Sequence, residues 1–82
     1  MNSVVQLGAG RAGAAVAHAI LILVARKLSI FDLNTQRAQT LAVALCTRFG
    51  ADRATAGSDL TGAMAAADGL INATPTGMVK YP

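Results

Sequence analysis

Residues 3–13 read SVVQLGAGRAG and contain a candidate strand followed by a glycine-rich turn. The run from Ser3 to Leu7 is short and mostly apolar, and Gly8 interrupts it, which predicts a buried strand. Gly8, Gly10 and Gly13 then follow with the spacing G-x-G-x-x-G, and helical periodicity begins within the same stretch. These eleven residues therefore predict a strand, a tight turn and a helix in immediate succession.

The rest of the chain repeats this alternation of strand and helix. The first helix is predicted over residues 11 to about 24. The second is capped by Asn34 or Thr35 and stopped by Gly50, and Ser58 or Asp59 begins the third. Strands are predicted at residues 3–7, 28–33, 54–56 and 69–74. Strands separated by helices form parallel sheets with right-handed crossovers. The expected fold is therefore α/β: a partial, Rossmann-like doubly wound parallel sheet of about four strands in order 3-2-1-4, with three helices.

Apolar periodicity also predicts which helix faces are buried. Cys46 lies beside the stripe of the second helix and is expected to be a small core residue, as is Met64 in the third. The predicted buried faces are Val16, Ile20, Leu23 and Val24 in the first helix, Ala38, Leu41, Ala42, Leu45 and Phe49 in the second, and Leu60, Ala63, Met64 and Ala67 in the third.

Composition excludes several classes of function. The 82 residues are 54% hydrophobic and 13% charged, so we expect one folded domain and no disorder. The net charge of +3 comes from scattered basic residues, which does not favour nucleic-acid binding. The longest apolar stretch, residues 12–25, is too short to cross a membrane. One cysteine and one histidine give no disulfide and no zinc site. A protein of the cytoplasm, without metal, is expected.

The glycine spacing has a chemical explanation in dinucleotide-binding proteins. There the first glycine makes the tight turn, the second lets a pyrophosphate approach the backbone, and the third lets the helix lie close to the strands. The free amides at the helix start then face the phosphates. The alternative is that the glycines merely permit a turn and a close helix contact. The predicted cofactor-binding loop comprises Gly8, Ala9, Gly10, Arg11, Ala12 and Gly13.

Asp32 ends the second predicted strand, 19 residues after Gly13. An acid at this position binds the ribose hydroxyls of NAD and would repel the 2′-phosphate of NADP. The alternative is a surface or helix-capping aspartate. Arg37 follows one turn into the next helix, where it could stack on adenine or contact the ribose, or lie on a solvated helix face. The expected cofactor is NAD rather than NADP.

Residues 72–78 read NATPTGM and run from the carboxyl end of the fourth predicted strand into the segment after it. This strand is expected beside the first, at the switch point where ligands bind. Residues 74–77 suit a type I turn. Asn72 on a buried strand needs a hydrogen-bond partner from the backbone or a ligand. A ligand-binding loop and a plain turn tied down by a buried Asn both fit.

Taken together, the residues GAG at 8–10, FDL at 31–33 and NATPTGM at 72–78 resemble the C-terminal domain of the shikimate and quinate/shikimate dehydrogenase family. The resemblance runs through essentially the whole chain. It implies reversible oxidation of the ring hydroxyl of shikimate or quinate with NADP or NAD. An Asp followed five residues later by an Arg, as in Asp32 and Arg37, is similar to the NAD-using branch. The resemblance also implies that the nicotinamide half of the cofactor lies along Thr74, Pro75, Thr76 and Met78.

The sequence departs from the family pattern at two positions. Arg11 stands where the family has glycine, so its side chain could clamp or crowd a phosphate. Val24 stands where the first helix usually ends in glycine. A β-branched residue cannot cheaply take a left-handed cap, so this helix end must either differ from the family's or be strained.

The family's catalytic Lys and Asp belong to an N-terminal substrate domain that these 82 residues do not include. We therefore expect residues 1–82 to be a single partial dinucleotide-binding domain that is inactive alone. Shikimate or quinate would bind only with the substrate domain, and the complete enzyme could be a homodimer. The alternatives are a non-catalytic NAD-binding regulatory module and a functionless truncated fragment.

Overall fold

The computed structural model describes residues 2–73. The predicted site residues Thr74, Pro75, Thr76 and Met78 therefore lie outside the described residues. The seven elements alternate as predicted, and the four strands form one parallel sheet in the order β3-β2-β1-β4, which confirms the predicted fold class. Their bounds are β1 Ser3–Leu7, α1 Arg11–Leu23, β2 Lys27–Phe31, α2 Thr35–Phe49, β3 Ala54–Ala56, α3 Leu60–Ala66 and β4 Gly69–Asn72.

The strand register brings three strand ends level at one edge of the sheet. Leu7, the last residue of β1, pairs with Phe31 of β2 and with Asn72 of β4. The backbone continues this pairing beyond the strands, because Gly8 N–H donates to Phe31 O (2.7 Å) and Ala73 N–H donates to Leu7 O (2.7 Å). The segments that leave β1, β2 and β4 therefore start side by side, at the edge where parallel α/β sheets bind ligands.

The main core lies between one face of the sheet and the helices α1 and α2. On that face the cross-strand neighbours Val4, Leu28 and Ala54 are buried, as is Ile30. Burying an aliphatic side chain of this size contributes about 1.5–3 kcal/mol before entropy is counted. The core thus fixes both helices on the sheet and so positions the turn before α1. The helices contribute Ala17, Ile20 and Leu21 from α1 and Ala38, Leu41, Ala42 and Leu45 from α2.

The predicted buried face of α1 is wrong at two positions. Leu23 is 79% exposed and Val24 is 41% exposed, whereas Ala17 and Leu21 are buried. The helix is apolar on nearly every side, so periodicity alone could not select a face. Gly13 packs closely on the preceding turn. Residues at four-residue steps from Gly13 therefore face the sheet.

The C-terminus of α1 differs from the glycine-capped form, as predicted from Val24. Val24 has φ −125°, outside the left-handed region, and its N–H donates to Ile20 O. Arg53 reaches across from the segment before β3 and donates to Leu21 O (3.1 Å), Ala25 O (3.4 Å) and Arg26 O. A side chain distant in sequence thus binds the carbonyl groups at and just beyond this helix end.

Helix α2 follows its prediction closely. Its stripe at residues 38, 41, 42 and 45 is buried, and Phe49 is partly buried. Asn34, rather than Thr35, is the N-cap, because its Oδ1 accepts from Arg37 N–H (3.2 Å). Gly50 follows the helix with φ +122°. Cys46 is half-buried and its Sγ donates to Ala54 O (3.1 Å), in keeping with a structural role.

The second face of the sheet is more open than predicted. None of the residues of α3 is buried, and Met64, expected in the core, is 43% exposed. Asp59, rather than Ser58, caps α3 by accepting from Gly62 N–H (3.1 Å). The expectation that β4 is a buried strand is also wrong, since Leu70 is 50% exposed and Asn72 is exposed. The physical reason is that β4 is an edge strand of the described sheet and the seven-residue α3 is too short to cover it.

Within residues 2–73, no helix is long and apolar enough to cross a membrane.

Candidate functional site

The turn between β1 and α1 has the geometry that the glycine spacing predicts. Gly8 has φ +104°, a conformation that residues with a side chain rarely adopt. A Cβ on Gly13 would lie 2.5 Å from Gly8 O, so the helix start is packed directly against the turn. Among the described residues, a Cβ on Gly10 would come within 4 Å of Arg37 Nη1 alone, at 3.7 Å, which is an ordinary van der Waals contact, so there is room for it. Gly8 and Gly13 thus shape the turn, while Gly10 leaves its outer side accessible.

The first amides of α1 lie at this turn. Gly10 is the N-cap residue, has no side-chain cap, and accepts the first helical hydrogen bond from Ala14 N–H (2.9 Å). The N–H groups of residues 10–13 precede that bond and have no acceptor within the helix. Together with the positive end of the helix dipole, they favour an anionic group at this position.

The sequence analysis did not identify Gln6, whose side chain binds the glycine turn from its inner side. The side chain is fully buried, and its Nε2 donates to Gly8 O (2.9 Å) and to Gly13 O (2.8 Å). Its Oε1 is buried without a hydrogen-bond partner among the described residues. The signal was present in the sequence, because Gln6 is the polar residue inside the apolar run of a predicted buried strand.

Asp32 lies immediately after β2 and binds the glycine turn directly. Its Oδ1 accepts from Ala9 N–H (3.0 Å), and its Oδ2 accepts from Asn34 N–H (2.9 Å). Asp32 is therefore not the side chain that caps α2, a role that Asn34 fills. Each carboxylate oxygen has capacity for a further donor, such as a hydroxyl group.

Arg11 and Arg37 line one open groove above the turn. The groove has a volume of about 740 Å³. The Arg37 side chain is exposed on α2, and its Nη1 lies 3.7 Å from the Cβ position of Gly10, so it borders both solvent and the groove. The Arg11 side chain is exposed. Two cations and the start of α1 thus give the groove a positive character. Its lining is Ala9, Gly10, Arg11, Ala14, Asn34, Gln36, Arg37, Thr40, Leu41 and Ala44.

A second groove, of about 580 Å³, lies between α2 and β3. None of the described residues that line it is charged, so they do not give it the positive character of the first groove. The lining residues are Gln39, Ala42, Val43, Cys46, Thr47, Ala51, Ala54, Thr55 and Ala56.

The histidine of α1, His18, has a structural role. His18 Nδ1 lies 2.9 Å from Ala14 O, one turn earlier in α1, and the ring packs edge-on against Phe49 at 5.8 Å between centroids. Among residues 2–73 no three His, Cys, Asp or Glu side chains are grouped as they would be around a metal ion. The groups that the described residues bring together at the glycine turn are backbone amides, the Asp32 carboxylate, the Gln6 amide and the side chains of Arg11 and Arg37.

This arrangement defines a Rossmann-like dinucleotide-binding fold: parallel strands, a glycine turn at the start of a helix, and an aspartate after the second strand that contacts the turn. The chain is 51% identical to the shikimate dehydrogenase (NADP(+)) of Streptomyces avermitilis and 46% identical to the quinate/shikimate dehydrogenase (NAD(+)) of Corynebacterium glutamicum strain R. Both alignments include the whole chain, which spans 29% and 30% of these relatives. No family model matches the chain.

The fold comparison agrees with the sequence comparison. The quinate dehydrogenase from Corynebacterium glutamicum, solved in complex with NAD, superposes with a TM-score of 0.87 at 42% identity. The superposition covers 99% of this chain and 29% of that structure. The chain is therefore a homologue of the shikimate and quinate/shikimate dehydrogenases over a segment of their length, and the resemblance drawn from the sequence motifs is confirmed.

Proposed function

We propose that this chain binds NAD in the groove above the glycine turn, as the cofactor-binding part of a shikimate or quinate dehydrogenase. The observation that carries the proposal is the hydrogen bond from Ala9 N–H to Asp32 Oδ1, at 3.0 Å. It joins the glycine motif and the strand-end acid, which are far apart in sequence, at one place in the fold. These are the two groups that a dinucleotide site uses for its diphosphate and its ribose.

Each predicted site residue has a proposed role in holding the cofactor. The amides of Gly10, Arg11 and Ala12 bind the diphosphate at the start of α1, and the Arg11 guanidinium adds a positive charge to the groove wall. The Asp32 carboxylate accepts from the ribose hydroxyls, and Arg37 binds the adenosine side. When bound, the cofactor supplies a nicotinamide ring that accepts or donates hydride.

The nicotinamide half of the proposed site involves the segment after β4. Asn72 ends β4 next to Leu7, at the same edge of the sheet as the glycine turn. The roles of Thr74, Pro75, Thr76 and Met78 beside the nicotinamide stay predictions, since these residues lie outside those described.

The charge of Asp32 supports NAD over NADP as the cofactor. A carboxylate at the ribose position opposes the doubly charged 2′-phosphate of NADP. The relatives include both NADP(+)- and NAD(+)-dependent dehydrogenases, so family membership alone does not assign the preference. The proposal for NAD rests on Asp32 and is tested by comparing the two cofactors.

The proposed reaction of the complete enzyme is hydride transfer between the ring hydroxyl of shikimate or quinate and the nicotinamide. The chain spans about 30% of the length of its relatives. We therefore propose that residues 1–82 form the cofactor-binding domain and that a separate domain binds the substrate and provides the general base. The isolated chain is then expected to bind NAD but to show no turnover with either substrate. A non-catalytic NAD-binding module would show the same binding. It differs in that adding the substrate-binding region of a relative would not restore turnover.

Calorimetric titration of the purified chain with NAD and NADP tests the binding proposal. NAD is expected to bind more tightly than NADP. Two arginines of α2 provide a matched pair, because Arg37 lines the groove and Arg48 lies at the far end of the helix. Arg37→Ala should weaken NAD binding by about tenfold, the value of one hydrogen bond to a charged group, and Arg48→Ala should leave it unchanged. Absence of NAD binding, or equal effects of the two substitutions, would contradict the proposal.

A further inference from the structure

The buried side-chain amide of Gln6 forms hydrogen bonds to two separate residues of the glycine turn. Its Nε2 donates both of its hydrogens, one to Gly8 O at 2.9 Å and one to Gly13 O at 2.8 Å. Gly8 is the first residue after β1, and Gly13 lies in the first turn of α1. The amide thus spans the turn from its inner side.

The orientation of this amide follows from the atoms around it. Both neighbours are carbonyl oxygens, which can only accept, so the NH2 group must face them. The Oε1 atom then remains buried without a partner among the described residues. Gln6 therefore keeps two donated bonds to the turn although its own acceptor is not satisfied there. An apolar side chain at this position would avoid the unsatisfied acceptor, but it would leave the two carbonyl groups without these donors.

The consequence lies on the outer side of the turn. The Gly13 carbonyl is held by Gln6, and Gly13 itself packs against Gly8 O. The amides of residues 10–12 lie between these two anchored points. With both points fixed, the direction of these amides is set before any ligand arrives, which lowers the cost of binding an anion there.

We propose that Gln6 is a positioning residue for the diphosphate: it acts through the carbonyls of Gly8 and Gly13 to aim the amides at the start of α1. This inference rests on the proposed function. It adds that Gln6 strengthens the binding of the phosphate part of the ligand and of no other part.

The test compares Gln6→Met with Val4→Ala. Methionine has a similar length and no donor. Val4 is a fully buried residue two positions before Gln6 in β1, on the same face of the strand, and its apolar side chain cannot form a hydrogen bond to the turn. Binding of NAD and of adenosine, which lacks the diphosphate, is measured by NMR titration below the unfolding temperature of each variant. Gln6→Met is expected to weaken NAD binding by about tenfold and to leave adenosine binding within about twofold, while Val4→Ala changes neither.

The outcomes separate the two proposals. If the unaltered chain does not bind NAD, the proposed function fails. If it binds NAD and Gln6→Met has no effect, or weakens NAD and adenosine equally, the positioning role of Gln6 is overturned.

If Gln6→Met does not fold, the side-chain NH2 resonances of Gln6 in the unaltered chain provide the measurement. They are expected to exchange slowly and to shift when NAD or ADP is added but not when adenosine is added. Rapid exchange, or identical shifts with all three ligands, would contradict the proposal.

Discussion

Gly10 and Gly13 belong to the same turn but have opposite steric surroundings. A methyl group on Gly13 would lie 2.5 Å from Gly8 O and 3.0 Å from Gly8 C, which are backbone atoms. Gly13→Ala must therefore displace α1 from the turn, and we expect a loss of about 1–3 kcal/mol in the free energy of unfolding. At Gly10 the nearest atom would be 3.7 Å away and φ is −77°, so Gly10→Ala should cost less than about 0.5 kcal/mol.

The Gly10→Ala variant should also differ from the unaltered chain in ligand binding. The methyl group of Gly10→Ala would point toward the groove, so this variant should bind NAD more weakly although it is as stable as the unaltered chain. Urea denaturation and calorimetry on both variants measure the two effects separately. Equal stability of the two variants would contradict the close contact of Gly13 with the turn.

Asp32 provides both a hydrogen-bond acceptor for the turn and a negative charge, and substitutions can separate these two effects. Asp32→Asn keeps an oxygen that accepts from Ala9 N–H but removes the negative charge, whereas Asp32→Ala removes both. We expect Asp32→Asn to lower the ratio of the NADP to the NAD dissociation constant by about tenfold, because the repulsion of the 2′-phosphate is lost. Asp32→Ala should in addition weaken both cofactors, since the turn loses its tie to β2. If the ratio of the two dissociation constants is unchanged in Asp32→Asn, Asp32 does not select between NAD and NADP.

Helix α1 ends without glycine, and Arg53 donates to one carbonyl of its last turn, Leu21 O, and to two just beyond it, Ala25 O and Arg26 O. Arg53→Ala would leave Leu21 O and Ala25 O without this donor, and we expect a loss of about 1–2 kcal/mol in the free energy of unfolding. Arg48→Ala is the control, because Arg48 and Arg53 both lie over the Phe49 ring, at 5.7 and 6.0 Å from its centroid. Thermal unfolding of both variants distinguishes the cap from the ring contact. Similar losses in the two would show that the ring contact dominates.

The residue before strand β4, Asp68, ties this strand to the start of β1 through its carboxylate. Asp68 Oδ2 accepts from Asn2 N–H (2.9 Å) and from Ser3 N–H (3.0 Å). The hydrogen bond from Ser3 N–H, followed by that from Asn2 N–H, lowers the pKa of Asp68 below its ordinary value. These bonds favour the ionised carboxylate, so folding and ionisation are linked.

The sign of the resulting pH dependence follows from this lowered pKa. The stabilisation is complete above the ordinary carboxyl pKa and is lost as the pH falls through the lower pKa of the folded state. Asp68→Asn should therefore reduce the difference between unfolding temperatures measured near neutrality and in acid. Buffers between about pH 7 and pH 3 cover this range. If both proteins lose stability in parallel throughout, the Asp68 bonds make no contribution.

The order of elements and the sheet topology were predictable from the whole sequence because local signals agree with each other. Glycines and short polar segments separate the apolar runs, and Asn34 and Gly50 mark the two ends of α2. Alternating strands and helices leave few parallel arrangements, of which 3-2-1-4 is the observed one. The meeting of Asp32 with the glycine turn followed from the same topology, since the carboxyl ends of neighbouring parallel strands share one edge.

What the sequence did not predict depends on contacts between distant residues. Leu23 could not be placed on the exposed side of an apolar helix without knowing that Gly13 fixes its rotation. Exposure of Leu70 and Asn72 depends on how little of the sheet α3 covers. Arg53 gives no local sign that it caps α1, and Gln6 is recognisable as a ligand of the turn only when the helix start lies beside it.

For the molecule as a whole, nucleotide binding should increase the free energy of unfolding. A ligand that binds the folded chain alone adds RT ln(1 + [L]/Kd), or about 2.7 kcal/mol at about 100 times Kd. For a domain of this size each kcal/mol raises the unfolding temperature by about 4–8 °C, so saturating NAD should raise it by roughly 10–20 °C. Gly10→Ala has the same fold and a weakened site, and it should show a smaller rise at the same NAD concentration. An equal rise in both proteins would mean that NAD stabilises the chain from somewhere other than the groove above Gly10.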